Sequence, residues 1–162
     1  LSFTSGIDDT YDSYVFKFYN IHPATNNAKF QFNLSTDGGS NYNVTKTTSF
    51  YQAYHAENNN AAALGYSTGN DLQQSTSFQN ISSEISSADD AHTSGTMTLY
   101  NPSSTTFAKH FMSRVQVDNN YYAQDEYMAG YGNTTSVVDA IQFKYSSGNI
   151  DAGVIKLYGI GG

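Results

Sequence analysis

Hydrophobic and polar residues alternate along much of this chain, with the period of two that is typical of β-strands. In residues 28–34, Phe30, Phe32 and Leu34 fall on one side, and polar residues occupy the positions between them. The same spacing separates apolar from polar positions in residues 105–117. The other strand candidates are residues 14–21, 43–55, 75–85, 94–102, 121–132, 136–146 and 154–160. The pattern therefore predicts eight or nine short strands.

Residues that favour turns separate these segments. Pro23 closes the first strand, because proline cannot donate a backbone hydrogen bond to a neighbouring strand. Residues 37–39, Asp-Gly-Gly, predict a β-hairpin, since glycine tolerates the positive φ that tight turns require. Residues 56–92 are less regular, and within them residues 57–71 predict a loop with one helical turn at residues 61–64.

Short strands at this spacing, without a helix of useful length, predict an all-β protein. We expect a single antiparallel β-sandwich spanning residues 1–162, jelly-roll-like, with eight or nine short strands. A chain of 162 residues can bury one substantial core without disulfides, and this chain contains no cysteine. Because it begins at Leu1 rather than Met, we expect the natural N-terminus to be longer or processed.

A strongly strand-like segment lies at the end of the chain, in residues 154–160. Its alternation places Val154, Lys156, Tyr158 and Ile160 on one face and Ile155 and Leu157 on the other. Because both faces carry apolar residues, we expect this strand to lie centrally in a sheet or against a partner subunit. Its predicted neighbour is the strand at residues 14–21.

The charge of the chain excludes one class of partner. Seven Lys and Arg residues against 14 Asp and Glu residues give a net charge of −7, whereas nucleic acid binding requires clustered cations. The cations fall inside predicted strands, where we expect them on solvent faces or sheet edges. They are Lys17, Lys29, Lys46, Lys109, Arg114, Lys144 and Lys156. No apolar run approaches the ~20 residues of a membrane-spanning helix, so we expect no membrane insertion.

Two groups of carboxylates are candidates for chemistry. Asp125 and Glu126 are adjacent, but glycoside hydrolysis requires two carboxyl groups that face each other across a cleft. No histidine motif or serine elbow accompanies them, so we predict no enzyme activity. Asp8, Asp9 and Asp12 are candidate calcium ligands, because calcium prefers clustered oxygen atoms. No other cofactor is expected.

Tyrosine is the most informative residue type in this sequence. The chain has 14 Tyr and 10 Phe but no Trp, and tyrosine clusters near predicted strand ends and loops. A tyrosine ring combines a large rigid face with a polar hydroxyl, which suits either a subunit interface or a glycan site. The candidate contact residues are Tyr51, Tyr54, Tyr121, Tyr122, Tyr127 and Tyr131.

Five segments, in this order, resemble virion structural proteins of tailed phages, particularly phages of marine bacteria. They are YDSYVFKFYNIHPAT (11–25), STDGGSNYN (35–43), LYNPSSTTFAKHF (99–111), AGYGNTTSVVDAIQF (129–143) and SSGNIDAGVIKLYGI (146–160). The resemblance covers most of the chain and includes a terminal G-x-I-x-LYGI strand. It implies a β-sandwich used as a virion building block, on a tail fibre or other appendage or as a capsid decoration. It also implies subunits that often assemble as trimers.

These observations favour a non-enzymatic virion structural protein at the virion surface, and therefore an extracellular one. Its expected partners are further copies of itself, with a trimer favoured, and other virion proteins. The alternative is a carbohydrate-binding, lectin-like module of a virion or secreted protein, which would bind a host surface glycan. A glycan depolymerase that uses a carboxylate such as Asp125 ranks below both.

Overall fold

The computed structural model describes residues 1–161 and contains eleven β-strands in that part of the chain. The strands are β1 (Ser2–Phe3), β2 (Ser13–Pro23), β3 (Ala28–Ser35), β4 (Lys46–Ala56), β5 (Ala62–Tyr66), β6 (Gln79–Ile85), β7 (His92–Tyr100), β8 (Lys109–Asp118), β9 (Tyr122–Gly132), β10 (Ala140–Tyr145) and β11 (Ile150–Ile160). Over residues 1–161 there is no helix of the length and apolar character that crossing a bilayer requires.

The strands form two antiparallel sheets. The small sheet has the order β1-β10-β3-β6, and the large sheet has the order β11-β2-β7-β8-β9-β4-β5. The predicted all-β sandwich is confirmed, with eleven strands rather than eight or nine. The difference arises partly at β5, because residues 61–64 form no helical turn: β5 runs antiparallel to β4 and lies at the edge of the large sheet.

Phenylalanine side chains from the two sheets meet in one core. Aromatic rings cross between the sheets at centroid distances of 5.1 Å for Phe18 and Phe30 and 5.0 Å for Phe32 and Phe111. These side chains are almost fully buried because alternate positions on each strand point inward. Each such burial is worth about 1.5–3 kcal/mol. The inward positions predicted for residues 28–34 are thus confirmed for Phe30 and Phe32.

The terminal strand β11 pairs antiparallel with β2, as predicted from the sequence. Ile155 lies opposite Phe18 and Leu157 lies opposite Phe16, so the inward face of β11 extends the core. The predicted central position is wrong, because β11 is the outermost strand of the large sheet. Gly153, at a φ of 108°, lies at an irregularity in this pairing, where a side chain would collide with the backbone of β2.

The Asp-Gly-Gly turn at residues 37–39 is confirmed, but the hairpin is not. Gly38 and Gly39 adopt φ values of 69° and 84°, and the Asp37 carboxylate accepts a hydrogen bond from the backbone N of Asn41 at 2.8 Å. The strands on either side belong to different sheets, β3 to the small one and β4 to the large one. The turn therefore carries the chain from one layer of the sandwich to the other.

Candidate functional site

The outer face of the large sheet gathers tyrosines and cations into one line across the strands. Because side chains alternate between the two faces of a strand, residues in register share a face. The pairing aligns Tyr66, Tyr51, Tyr127, Arg114, Thr96, Lys17 and Lys156 across all seven strands. We call these seven residues the cross-strand row.

Two tyrosines of the row are stacked against each other. The rings of Tyr51 and Tyr127 are 4.7 Å apart and inclined by only 7°, and the guanidinium carbon of Arg114 lies 4.9 Å from the centroid of the Tyr127 ring. Two of the six predicted contact residues are therefore brought together. Because neighbouring residues across the sheet stack ring to ring, they turn their faces toward each other rather than toward solvent.

Arg114 is held in place by a carboxylate on the neighbouring strand. Its Nε donates to Oδ1 of Asp125 at 3.0 Å and its Nη2 donates to Oδ2 at 2.8 Å. This bidentate pair raises the pKa of Arg114 and lowers the pKa of Asp125. The hydroxyl of Tyr127 also donates to Asp125, at 3.3 Å. These contacts fix the orientation of the guanidinium group before any ligand arrives.

The opposite end of the row is positively charged. The ammonium nitrogens of Lys17 and Lys156 each lie 5.4 Å from the centroid of a tyrosine ring, that of Tyr158 and that of Tyr19 respectively. Neither lysine forms an ion pair within residues 1–161. Cation–π contacts of this kind leave the ammonium hydrogens open to solvent and to further acceptors.

The remaining predicted tyrosines do not join this row. The rings of Tyr54 and Tyr122 meet edge to face, with their centroids 5.6 Å apart, on the inward side of their strands. The ring of Tyr131 lies on the outer face, with its centroid 6.4 Å from that of the His110 ring. Tyr121 is 67% exposed. Tyr121 and Tyr122 line a cavity of about 330 Å³ together with Glu57. The predicted set therefore divides between the outer face and one end of the sandwich.

Of the three aspartates predicted as calcium ligands, Asp8 stabilises a turn. Oδ1 of Asp8 accepts hydrogen bonds from the backbone N of Thr10 at 2.9 Å and from the hydroxyl of Tyr14 at 2.8 Å, and the pKa of Asp8 is lowered. In the described chain, Asp8, Asp9 and Asp12 do not form a group of carboxylates close enough to hold a metal ion, and no other cluster of three His, Asp or Glu side chains does so.

Asp125 and Glu126 point to opposite faces of β9, as neighbours on a strand must. Glu126 is completely buried, and its Oε2 accepts a hydrogen bond from the backbone N of Ser83 at 2.9 Å, while its Oε1 accepts one from the Ser83 hydroxyl. Burial raises the pKa of Glu126 to about 7. The two carboxylates therefore cannot act on one substrate from this arrangement.

Two lysines that we expected on solvent faces or edges are completely buried. Lys46 and Lys109 flank Gly132 in the register of the large sheet and point inward. The ammonium group of Lys46 donates to Asn33 Oδ1 and to the Val44 carbonyl oxygen, and burial lowers its pKa to about 7.

Lys109 has a similar environment at the same end of the sandwich. Its ammonium group donates to the carbonyl oxygens of Ser104, at 2.6 Å, and Phe107, at 2.7 Å. Because lysine has three donors and a long stem, it can satisfy loop carbonyls that would otherwise be buried without partners. Both lysines share the inward phase of apolar neighbours, Phe50 in β4 and Phe111 in β8. This alternation with buried phenylalanines is the sequence signal that could have identified the two lysines as inward-facing.

The described structure thus offers a row of hydroxyl groups and cations on the outer face of the large sheet, and separate buried polar groups, Glu126, Lys46 and Lys109, inside a largely apolar sandwich. Comparisons of this chain with protein-family models, with curated proteins and with solved structures found no match.

Proposed function

We propose that this chain is a non-enzymatic structural protein of a virion surface, a β-sandwich building block that joins copies of itself. The observation that carries the proposal is the long, unpaired edge of β11. This strand spans 11 residues and, within residues 1–161, pairs only with β2. Such an edge presents a row of unpaired N–H and C=O groups, which is a template for another chain.

The side chains of β11 support a partner at this edge. Val154, Tyr158 and Ile160 lie on its outer face and are 52%, 42% and 55% exposed. Proteins that act as monomers usually cover or charge such edges. Three exposed apolar side chains on one edge strand favour a surface that becomes covered when subunits assemble.

A cavity next to β11 gives a partner side chain a place to insert. The cavity has a volume of about 430 Å³ and lies between β11 and β10, at the open side of the sandwich. Its apolar lining includes Ile21, Phe143, Ile150 and Ile155. Filling it would add apolar contact area to a strand-to-strand contact, and this supports a specific interface rather than a loose one.

The position of Lys156 favours a ring over a two-fold dimer. If two copies of β11 paired antiparallel about a two-fold axis near the middle of the strand, Lys156 would lie close to its own symmetry mate. Like charges directly opposite each other are destabilising. A head-to-tail contact avoids this repulsion, and it forms a ring when the rotation between subunits closes. A trimer, which the resemblance to phage virion proteins implies, would be such a ring.

Light scattering after size-exclusion chromatography tests the proposal. We expect the wild-type protein to form an oligomer and Ile160→Lys to shift it toward monomer. Leu64→Lys is the control, because Leu64 is an exposed apolar residue, at 74% against 55% for Ile160, on β5, the opposite edge of the same sheet. Peptides of the chain are also expected in purified virus particles. A wild-type monomer at all concentrations, missing from particles, would refute the proposal.

A second candidate function is carbohydrate binding, favoured by the preformed stack of Tyr51, Tyr127 and Arg114 on an exposed face. These side chains are already ordered by their neighbours, so binding would cost little conformational entropy. Since the rings face each other, their hydroxyl groups rather than their faces are offered to a sugar. A glycan array tests this function, with Tyr127→Ala expected to abolish binding while the protein remains folded.

A further inference from the structure

The cross-strand row combines hydroxyl groups at one end with two lysines at the other. The hydroxyls of Tyr66 and Tyr127 already donate to Asp71 and Asp125, so they offer lone pairs to further donors, whereas Lys17 and Lys156 carry only donors. A ligand with both hydroxyl groups and negative charges fits this chemistry, because hydrogen bonds to ionised acceptors are stronger than neutral ones.

The row is also long. It crosses seven strands, and six inter-strand spacings of about 4.8 Å give it a length of roughly 29 Å. An extended chain molecule lying across the strands could contact the tyrosine end and the lysine end at the same time. A small anion could contact only one of them.

The lysine end is the part of the row with unsatisfied charge. Asp125 already neutralises Arg114, whereas Lys17 and Lys156 are neighbours in register with no ion-pair partner in residues 1–161. Two lysines in register therefore lie on one face of a protein whose net charge is −7. Because their ammonium groups lie over different tyrosine rings, they offer two positions for acidic groups of one ligand.

We propose that the cross-strand row binds an anionic polysaccharide, whose sulfate or carboxylate groups contact Lys17 and Lys156 and whose sugar hydroxyls contact the tyrosine end. The inference rests on the carbohydrate-binding candidate above and names its ligand class. The row adjoins the proposed subunit contact at β11, where Lys156 lies between Val154 and Tyr158 on the outer face, so both proposals hold together only if the contact leaves the Lys156 ammonium group exposed.

Nucleic acid fits the row less well than a polysaccharide does. Duplex DNA carries one negative charge per ~1.7 Å of its axis, and binding it requires many cations. The row has only two cations without a carboxylate partner in residues 1–161, Lys17 and Lys156, and the net charge of the protein is −7. An acidic polysaccharide has more widely spaced charges and many hydroxyl groups, which matches a row of few cations and several hydroxyls.

Dextran and dextran sulfate form a matched pair of probes, since they share a backbone and differ in charge. We expect the wild-type protein to bind dextran sulfate in affinity electrophoresis, and to bind dextran much more weakly. Added salt should weaken the part of the affinity that depends on sulfate groups, because the lysines are exposed to solvent. Carboxymethyl dextran should behave like dextran sulfate.

Single substitutions locate the site. Lys17→Gln is expected to weaken dextran sulfate binding roughly fivefold, the upper end for one exposed charge pair. Lys144→Gln is the control: it removes the same charge from an exposed lysine on the small sheet, where the ammonium nitrogen lies 4.1 Å from the Phe78 ring centroid. Equal loss in both variants would overturn the inference, since it would indicate a response to net charge alone.

Three further outcomes would also overturn it. Equal binding of dextran and dextran sulfate would remove the charge requirement while leaving the carbohydrate-binding candidate intact. Absence of binding to either polymer and to a glycan array would remove both. Tighter binding to an oligonucleotide than to dextran sulfate, again lost in Lys17→Gln, would assign the row to nucleic acid.

Discussion

Glu126 holds its carboxyl group inside the sandwich, and this makes stability depend on pH. Burial raises its pKa from the ordinary value of 4.5 to about 7. Between these values the folded protein keeps a proton that the unfolded chain has lost, so the free energy of unfolding falls as the pH rises from 4.5 to 7. We expect Glu126→Gln to remove this slope, which is worth up to roughly 3 kcal/mol.

Urea unfolding at pH 5 and at pH 7 measures the effect. Glu84→Gln is the control, because Glu84 is exposed on β6. If Glu126→Gln and the wild-type protein lose the same stability between the two pH values, the buried carboxyl group is not responsible for the slope.

Lys46 is expected to produce the opposite slope at higher pH. Burial lowers its pKa from 10.5 to about 7, so between these values the unfolded chain holds a proton that the folded protein has released. The free energy of unfolding should therefore rise with pH from 7 to 10.5. Lys46→Met should remove that rise, whereas Lys17→Met, at an exposed position, should preserve it. Identical profiles in all three proteins would contradict the assignment.

These buried charges show where sequence patterns are insufficient at the scale of single residues. The alternation in β8 was visible, yet a lysine at an inward position conflicts with the usual exposure of charged side chains. What resolves the conflict is a set of loop carbonyls, contributed to Lys109 by Ser104 and Phe107. Their position depends on how the loop folds back, which no local pattern encodes.

At the scale of elements, β11 closes the fold even though it lies at an edge. Ile155 and Leu157 pack against the core, and they cover the side of β2 that carries Phe16 and Phe18. We expect deletion of residues 154–162 to abolish folding, because it exposes this apolar side and removes a full set of strand hydrogen bonds. Thermal unfolding followed by circular dichroism is the measurement.

Deletion of residues 161–162 alone is the control for this truncation, and it should leave the melting transition nearly unchanged. A truncated protein without residues 154–162 that stayed soluble and melted cooperatively would show that β2 can serve as the edge of the sheet by itself.

The elements that the sequence predicted best have strict alternation. In β3 and β10, apolar residues at every second position fix both the strand and the face that it buries. Connections were harder to predict. The turn at residues 37–39 was identified from its glycines, but glycine allows a tight turn between two sheets as readily as within one.

The candidate site was predictable only as a set of residue types. Tyrosine enrichment indicated contact residues, and Tyr51 and Tyr127 were among them. Their stacking depends on the register between β4 and β9, and the row depends on the register across six strand pairs. Such register comes from long-range pairing of the whole sheet and has no trace in local sequence.

At the scale of the whole molecule, the two proposed surfaces differ in the chemical groups that they expose. The edge of β11 offers backbone groups and apolar side chains, which suit another subunit. The outer face of the large sheet offers hydroxyl groups and cations, which suit an acidic ligand. In an assembly formed through β11 that leaves Lys156 exposed, each subunit would present its row, so several weak sites could act together on one polymer and raise its apparent affinity.

Hydrogen exchange in β11, measured at several protein concentrations, tests the proposed subunit contact most directly. Alternate backbone amides of β11 point away from β2 and have no strand beyond them in the isolated chain. We predict that these amides become more protected as the concentration rises, while the amides at the free edge of β5 do not. Exchange in β11 that is fast and independent of concentration would contradict the assignment of this edge as a subunit contact.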